Sequence, residues 1–388
     1  MDPGAEASRI HSSRPVVDGH NDLPWALRAA GHADLVGIDL LSHQTAFHTD
    51  IPRLAKGGVG VQFWSVWVPA SDETPLRTTL EQIDLVHRMA DRYPEYLTVT
   101  GTAAEARDIA DSGKVAGLLG AEGGHSIENS LGALRALFAL GVRYLTLTHT
   151  RTTDWADSAT DNPRHGGLSP FGQDVVKEMN RLGMAVDLSH CSTATMRSAL
   201  EISSAPVIAS HSSAFAIAAH PRNVPDDIIR LIGEGGGVVM VCFYPAFVVP
   251  ETARFAVKLL EVERQMRADG EAEEVIGELH EQAWNDHPPD VGSVANVVDH
   301  IEHVANVAGV DHVGVGSDFD GMSLVPAGLE DVSCYPNLTT ELLHRGWAEG
   351  DIRRVLGENT LRVLTEIEAQ GRRLRRAFRN GTEPTNHV

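Results

Sequence analysis

Short apolar runs rich in β-branched residues recur along the chain, separated by longer segments whose apolar positions fall three and four apart. Eight runs stand out, at residues 16–22, 59–67, 115–124, 144–150, 184–190, 206–213, 238–244 and 312–321. They are nearly continuous rather than alternating, which is the pattern of strands covered on both faces, as in a parallel sheet. Between them, residues 80–93, 129–140, 171–182, 193–202, 226–232 and 294–307 carry helical spacing. Strand and helix thus alternate, and eight such units predict an α/β fold, a (β/α)8 TIM barrel. Reactive groups in that architecture sit at the C-terminal ends of strands, and several runs here end in an ionisable residue.

Two segments depart from the alternation. Residues 251–290 are charged and helical in spacing, and predict a helical insertion between the seventh and eighth strands. A solvated excursion, a lid and an oligomer contact all fit that composition. From about Arg372 the chain turns basic and then rich in Asn, Gly, Thr and Pro, so a single barrel domain is expected over residues 1–370, with the insertion at about 251–291. Residues 371–388 are expected to be a frayed tail outside the core.

Composition narrows the possible partners. The chain has 388 residues, 42% of them hydrophobic and 22% charged, an ordinary globular balance that excludes disorder as the starting assumption. Its net charge of −21, from 53 acidic and 32 basic residues, argues against nucleic acid and anionic membranes as partners, since both repel a polyanion. Cys191, Cys242 and Cys334 show no C-x-x-C spacing, so neither a disulfide framework nor a thiolate zinc knuckle is expected and a reducing compartment suits them. The first residues are polar, the last residues carry no hydrophobic tail, and no apolar stretch approaches the ~20 residues of a membrane helix. A cytoplasmic protein with no membrane partner is therefore expected, and a homodimer is one arrangement open to it.

The strand ends carry the candidate chemistry. His20 and Asp22 stand two apart, on one face of the first strand together with Asp18, and can grip one cation together. Glu122 follows an apolar run, where a bare carboxylate would be costly to bury. An arginine partner would neutralise it, and so would metal ligation, in which its two oxygens can bridge two ions. His190 and His211 end neighbouring strands, and neutral imidazole is a common zinc ligand. His149 closes the fourth strand, either as a strand-end hydrogen bond or as a donor to a developing oxyanion. Asp318 closes the eighth and is placed to handle a proton, with Asp320 as its rival. Arg222 lies on the loop beyond the sixth strand, where it can be a surface arginine or a clamp for a substrate carboxylate. Trp25, Tyr244 and Phe247 can wall a pocket or pack in the core.

The stretches VDGHNDLPW (17–25), GAEGGHS (120–126), LTLTHT (145–150), DLSH (187–190), SHSS (210–213), HPRNVPDD (220–227) and GVGSDFDG (314–321) resemble, in order, the membrane or renal dipeptidase family. The resemblance runs from about Val16 to about Glu366 and is closest to soluble bacterial-type members, since the secreted type carries a leader, an anchor signal and paired cysteines. It implies a binuclear zinc dipeptidase, an enzyme that hydrolyses dipeptides and tolerates a D-residue at the C-terminal position. The resemblance assigns His20 and Asp22 to one zinc, Glu122 as the bridge, and His190 and His211 to the second. It also assigns His149 to carbonyl polarisation, Arg222 to the substrate carboxylate and Asp318 to proton handling. The expected mechanism is attack by a hydroxide bridging two Zn2+ ions held about 3.5 Å apart. An N-acyl amino acid deacetylase or another binuclear amidohydrolase is the alternative enzyme, and an inactive scaffold of the same fold is the alternative outside enzymes.

Overall fold

The computed structural model describes residues 2–380. Its strands are β1 Val16–Asn21, β2 Val59–Ser65, β3 Leu97–Val99, β4 Val115–Glu122, β5 Val142–Thr146, β6 Ala185–Asp187, β7 Ile208–Ala209, β8 Val238–Val241 and β9 Val313–Val315. All pairings between them are parallel. β1 pairs with β2 and β9, β2 pairs with β4, and from β4 to β9 each strand pairs with the next in sequence. Eight strands therefore close on themselves as the predicted (β/α)8 barrel. The ninth, β3, is too short to show in the hydrophobic pattern. It pairs with Val115 to Gly117 of β4, on the edge whose upper half pairs with β5.

Closure sorts the strand residues into two sets. Val17, Val61, Phe63, Leu118, Tyr144 and Met240 join one buried cluster, together with Leu361 and Ile367 of the last helix. The other faces, including Val59, Leu119, Leu145 and Val186, pack against the surrounding helices through residues such as Leu134, Val175, Met179, Ile229 and Val297. Those helices start and stop on local signals. Ser169 accepts from Gly172 N at the start of helix Pro170–Leu182, and Gly183 ends it with φ 75°.

Helices Pro250–Ala268 and Glu273–Asp286 form the predicted insertion, between β8 and β9. They are not merely a solvated excursion: His280 reaches the central cavity, and Arg264 Nε donates to Thr160 O across 3.2 Å. The last helix, Asn359–Arg379, also differs from expectation, because the boundary at 370 falls inside it. Gly371 is buried against Gly183, where a Cβ would stand 2.5 Å from the Gly183 Cα, and Arg375 Nη1 donates to Arg181 O and Leu182 O. Basic character here serves the carbonyls of a neighbouring helix end rather than solvent. The remainder of the expected tail, 381–388, lies outside the described residues. No helix among the described residues is long and apolar enough to cross a membrane.

Candidate metal centre and substrate cavity

The five proposed ligands, His149 and Asp318 stand at or just past the C-terminal end of a strand, and Arg222 lies on the longer loop after β7. His20 is the penultimate residue of β1 and Glu122 the last of β4, while His149, His190, His211 and Asp318 follow the ends of β5, β6, β7 and β9. His190 and Asp318 have left-handed backbones, φ 64° and 68°, as does Asp320 at 66°. Non-glycine residues hold that conformation at a cost of order 1 kcal/mol or more, and such strain gathers at functional sites.

The five proposed ligands converge. His190 Nε2 and His211 Nε2 lie 2.8 and 3.3 Å from Glu122 Oε1, and His20 Nε2 lies 3.3 Å from the other oxygen, Oε2. Asp22 Oδ2 is 3.1 Å from His20 Nε2. The two oxygens of Glu122 thus face different donor sets, His20 with Asp22 on one side and His190 with His211 on the other. No arginine pairs with Glu122 among the described residues. Asp18, which shares the strand face of His20 and Asp22, is not in the cluster: it accepts from Gln62 Nε2 at 2.9 Å and from the Ser317 N–H and hydroxyl at 2.8 Å.

The cluster has the chemistry of a metal site. His190 Nε2 and His211 Nε2 face each other at 3.0 Å. Two nitrogens bound to one tetrahedral zinc at ~2.0–2.1 Å stand roughly that far apart. Nε2 of His20 and Oδ1 of Asp22 are buried without a hydrogen-bond partner. The groups His20/Glu122/His211, Glu122/His149/His190 and His20/Asp22/Asp318 each bring ligand atoms within 4.8 Å of one another. Burial holds His190 and His211 well below the ordinary imidazole value, so both are neutral at pH 7 and have a lone pair to give. Burial alone would raise the Glu122 carboxyl, but His20 and His149 outweigh it and hold the group well below the usual carboxylate range. Against the effect of burial, Tyr144, Glu122 and Asp22 raise His20 well above its ordinary value. Its proton supplies positive charge among carboxylates that a cation would supply instead.

Two partners the sequence reading passed over orient the imidazoles. His20 Nδ1 meets Tyr144 Oη at 2.7 Å, and Tyr144 Oη donates onward to Gly19 O at 3.3 Å. His211 Nδ1 meets Ser210 Oγ at 2.8 Å, and that hydroxyl donates to Asp187 Oδ2 at 2.6 Å. These contacts leave Nε2 of each ring facing the cluster. Asp187 and Ser210 lay inside recognisable motifs, whereas Tyr144 had no signal beyond being an apolar-run residue with a hydroxyl.

A cavity of about 420 Å³ opens over the cluster, lined by Trp25, Trp67, Glu122, His149, Arg222 and Asp318 among others. Tyr244 and Phe247 share its wall, so all three aromatics raised from sequence face the cavity rather than only packing in the core. His149 Nε2 is 3.7 Å from Glu122 Oε1, and burial lowers this imidazole to about 4, leaving a neutral ring. Asp318 is pushed up to about 8 by burial, with Asp22 and Glu122 adding to the rise. Asp320 accepts from the His48 N–H at 2.6 Å, and burial raises it to about 7. Arg222 is not a surface residue: it is 3% exposed, sits over the Phe247 ring at 5.0 Å, and has no carboxylate partner among the described residues. A buried guanidinium held only by 3.4 Å contacts to Ser212 Oγ and His211 O is ready for an anion.

A family model described as membrane dipeptidase, peptidase family M19, matches residues 4–377. The dipeptidase aclJ of Aspergillus oryzae is 41% identical over 372 residues, covering 93% of this chain and 80% of that protein. Among solved structures, a metallopeptidase named dipeptidase AC superposes with TM-score 0.77 at 26% identity, over 92% of this chain and 99% of the other. A metallopeptidase from Rhodobacter sphaeroides, liganded with a phosphinate mimic of the dipeptide L-Ala-D-Ala, superposes with TM-score 0.74 at 26% identity, over 91% of this chain and 99% of the other.

Proposed function

Because this chain belongs to the membrane dipeptidase family, peptidase family M19, and is a metal-dependent dipeptidase, we propose that it is a binuclear zinc enzyme cleaving dipeptides at the rim of its barrel. The observation that carries the proposal is Glu122, whose oxygens face two donor sets beside the buried, unpaired Arg222. His20 and Asp22 would hold one zinc, His190 and His211 the other, and Glu122 would bridge them. When bound, two such ions polarise a carbonyl and make a water acidic enough to attack near neutral pH.

The residues supply the rest. Arg222 clamps the C-terminal carboxylate of the substrate and so sets the distance from chain end to scissile bond. His149, neutral at pH 7, donates a hydrogen bond to the carbonyl oxygen as negative charge grows on it. In its ionised form, which cations held beside it would favour, Asp318 takes a proton from the attacking water and delivers it to the departing nitrogen as the C–N bond breaks. The products are two free amino acids. Dipeptides with a D-residue at the C-terminal position belong to the proposed substrates, supported by the L-Ala-D-Ala mimic carried by the R. sphaeroides relative. The free Cys191, Cys242 and Cys334 suit a reducing, cytoplasmic location, which cell fractionation tests.

Elemental analysis together with a dipeptide panel tests the proposal. Two zinc ions per chain are expected, with turnover of L-L and L-D dipeptides and much slower tripeptides. Tripeptides cleaved as fast as dipeptides, or N-acyl amino acids preferred over both, would overturn it.

A further inference from the structure

A second chamber of about 210 Å³ adjoins the substrate cavity, and His190, Arg222, Tyr244, Phe247 and His280 line both. Its outer wall comes from the insertion: Ala256, Leu259 and Leu260 of helix Pro250–Ala268 and Trp284 of helix Glu273–Asp286. The insertion is tied in place over the barrel. Arg264 Nε donates to Thr160 O at 3.2 Å, and within the insertion Thr252 Oγ1 donates to Asp290 O at 2.6 Å, closing its two ends on each other.

The polar groups of this wall satisfy one another. His280 Nδ1 meets Glu263 Oε1 at 2.7 Å, and Trp284 Nε1 donates to His280 Nε2 at 3.0 Å. Nε2 of His280 thus accepts from the indole while Nδ1 faces the carboxylate. Glu263 is also 3.7 Å from Arg267 Nη2, so its carboxylate is engaged on both oxygens. Toward the chamber the lining is mainly apolar, from the aliphatic side chains and the Trp284 and Phe247 rings, with Thr150, Thr160 and His220 beside them.

We infer that this chamber is the specificity pocket for the side chain of the substrate's second residue, and that it selects apolar side chains of leucine to phenylalanine size. The inference rests on Arg222 holding the C-terminal carboxylate. The carbon that bears that carboxylate also bears the second side chain, so the side chain must enter the space next to the guanidinium, and this chamber is that space. Burying an apolar side chain there is favourable by the area it removes from water, whereas an acidic one would meet the Glu263 carboxylate and a basic one the Arg222 guanidinium, with Glu263 already engaged by His280 and Arg267, each in a poorly solvated setting. The insertion thereby acts on substrate choice. His280 is a positioning residue, holding Trp284 and Glu263 in place.

The experiment compares kcat/KM for Ala-Phe, Ala-Leu, Ala-Gly, Ala-Asp and Ala-Lys in the zinc-reconstituted enzyme and its Ala256→Trp, Leu260→Ala and Arg222→Met variants. In the unaltered enzyme Ala-Phe and Ala-Leu exceed Ala-Gly, Ala-Asp and Ala-Lys by about tenfold or more, the scale on which an apolar pocket discriminates. Ala256→Trp fills the chamber and collapses the Ala-Phe to Ala-Gly ratio. Leu260→Ala widens it and shifts the ratio of Ala-Phe to Ala-Leu upward, a change that general misfolding would not produce. Ratios unmoved in both variants, while Arg222→Met still abolishes use of dipeptides, would overturn the pocket and leave the carboxylate clamp standing. Arg222→Met with undiminished rates would remove the clamp and the pocket with it. A preference for Ala-Asp or Ala-Lys in the unaltered enzyme would also overturn the pocket.

Discussion

Tyr144 shows how one atom at the residue scale can govern a charge cluster. Its ring belongs to the buried set shared with Phe63 and Met240, while its hydroxyl reaches His20 Nδ1 at 2.7 Å and holds the imidazole with Nε2 aimed at the carboxylates. Partners of this kind set the tautomer and orientation of a ligating ring, and losing one lowers metal affinity by about 10- to 100-fold. Tyr144→Phe removes the hydroxyl and keeps the ring. We expect its metal affinity, measured by competition with a chelator, to fall on that scale while its circular dichroism is unchanged. Affinity equal to that of the unaltered protein would make the contact incidental. Ser210 relays Asp187 to His211 in the same fashion, and Ser210→Ala should act in the same direction.

At the scale of elements, the close approach of strands explains glycines that the apolar pattern does not. Gly120 lies in β4 next to the Tyr144 ring of β5, and a Cβ at that position would stand 2.0 Å from Tyr144 Cζ. The ring cannot retreat, because Phe63 packs against it with centroids 5.1 Å apart. Gly120→Ala therefore has to displace the ring or the strand, and overpacking of this kind costs about 1–3 kcal/mol. A lower Tm and weaker metal binding are expected together, since the displaced ring carries the hydroxyl that orients His20. A variant with the Tm and metal affinity of the unaltered protein would show that the strand gives way freely.

Acid stability belongs to the whole molecule. His300, fully buried in helix Val294–Ala308, accepts from Ala214 N at 2.9 Å through Nδ1 and donates to Val248 O at 3.2 Å through Nε2. It thereby ties that helix to the segments that follow β7 and β8. Burial lowers its value from 6.5 to about 4. The folded value lies below the unfolded one, so the unfolded chain binds the extra proton between those limits. The contribution is fully present above pH 6.5 and is lost as pH falls toward 4, by about 2 kcal/mol between pH 7 and pH 5. Denaturant unfolding at those two pH values should show a steeper loss in the unaltered protein than in His300→Gln. Equal losses would exclude His300 as the source.

The fold and the proposed ligands were legible for one reason: both are written locally. A run such as residues 115–124 shows its burial in its own composition, and an ionisable residue at its end needs no partner to be noticed. The helical insertion was equally legible as a helical segment. Its place over the cavity was not, because nothing in residues 251–290 records which loop of the barrel lies beneath them. The sequence likewise left Arg222 between surface and site, and Trp25, Tyr244 and Phe247 between core and wall. Only closure of the barrel decides these, by bringing β1 against β9 and setting Tyr144 beside His20, 124 positions away. The amino-acid order by itself thus determined which segments become strands and helices and which groups stand at their ends, since hydrophobic periodicity acts over a few residues. Tertiary structure alone decided what each group touches, because burial and hydrogen-bond geometry depend on neighbours that the chain supplies from far away.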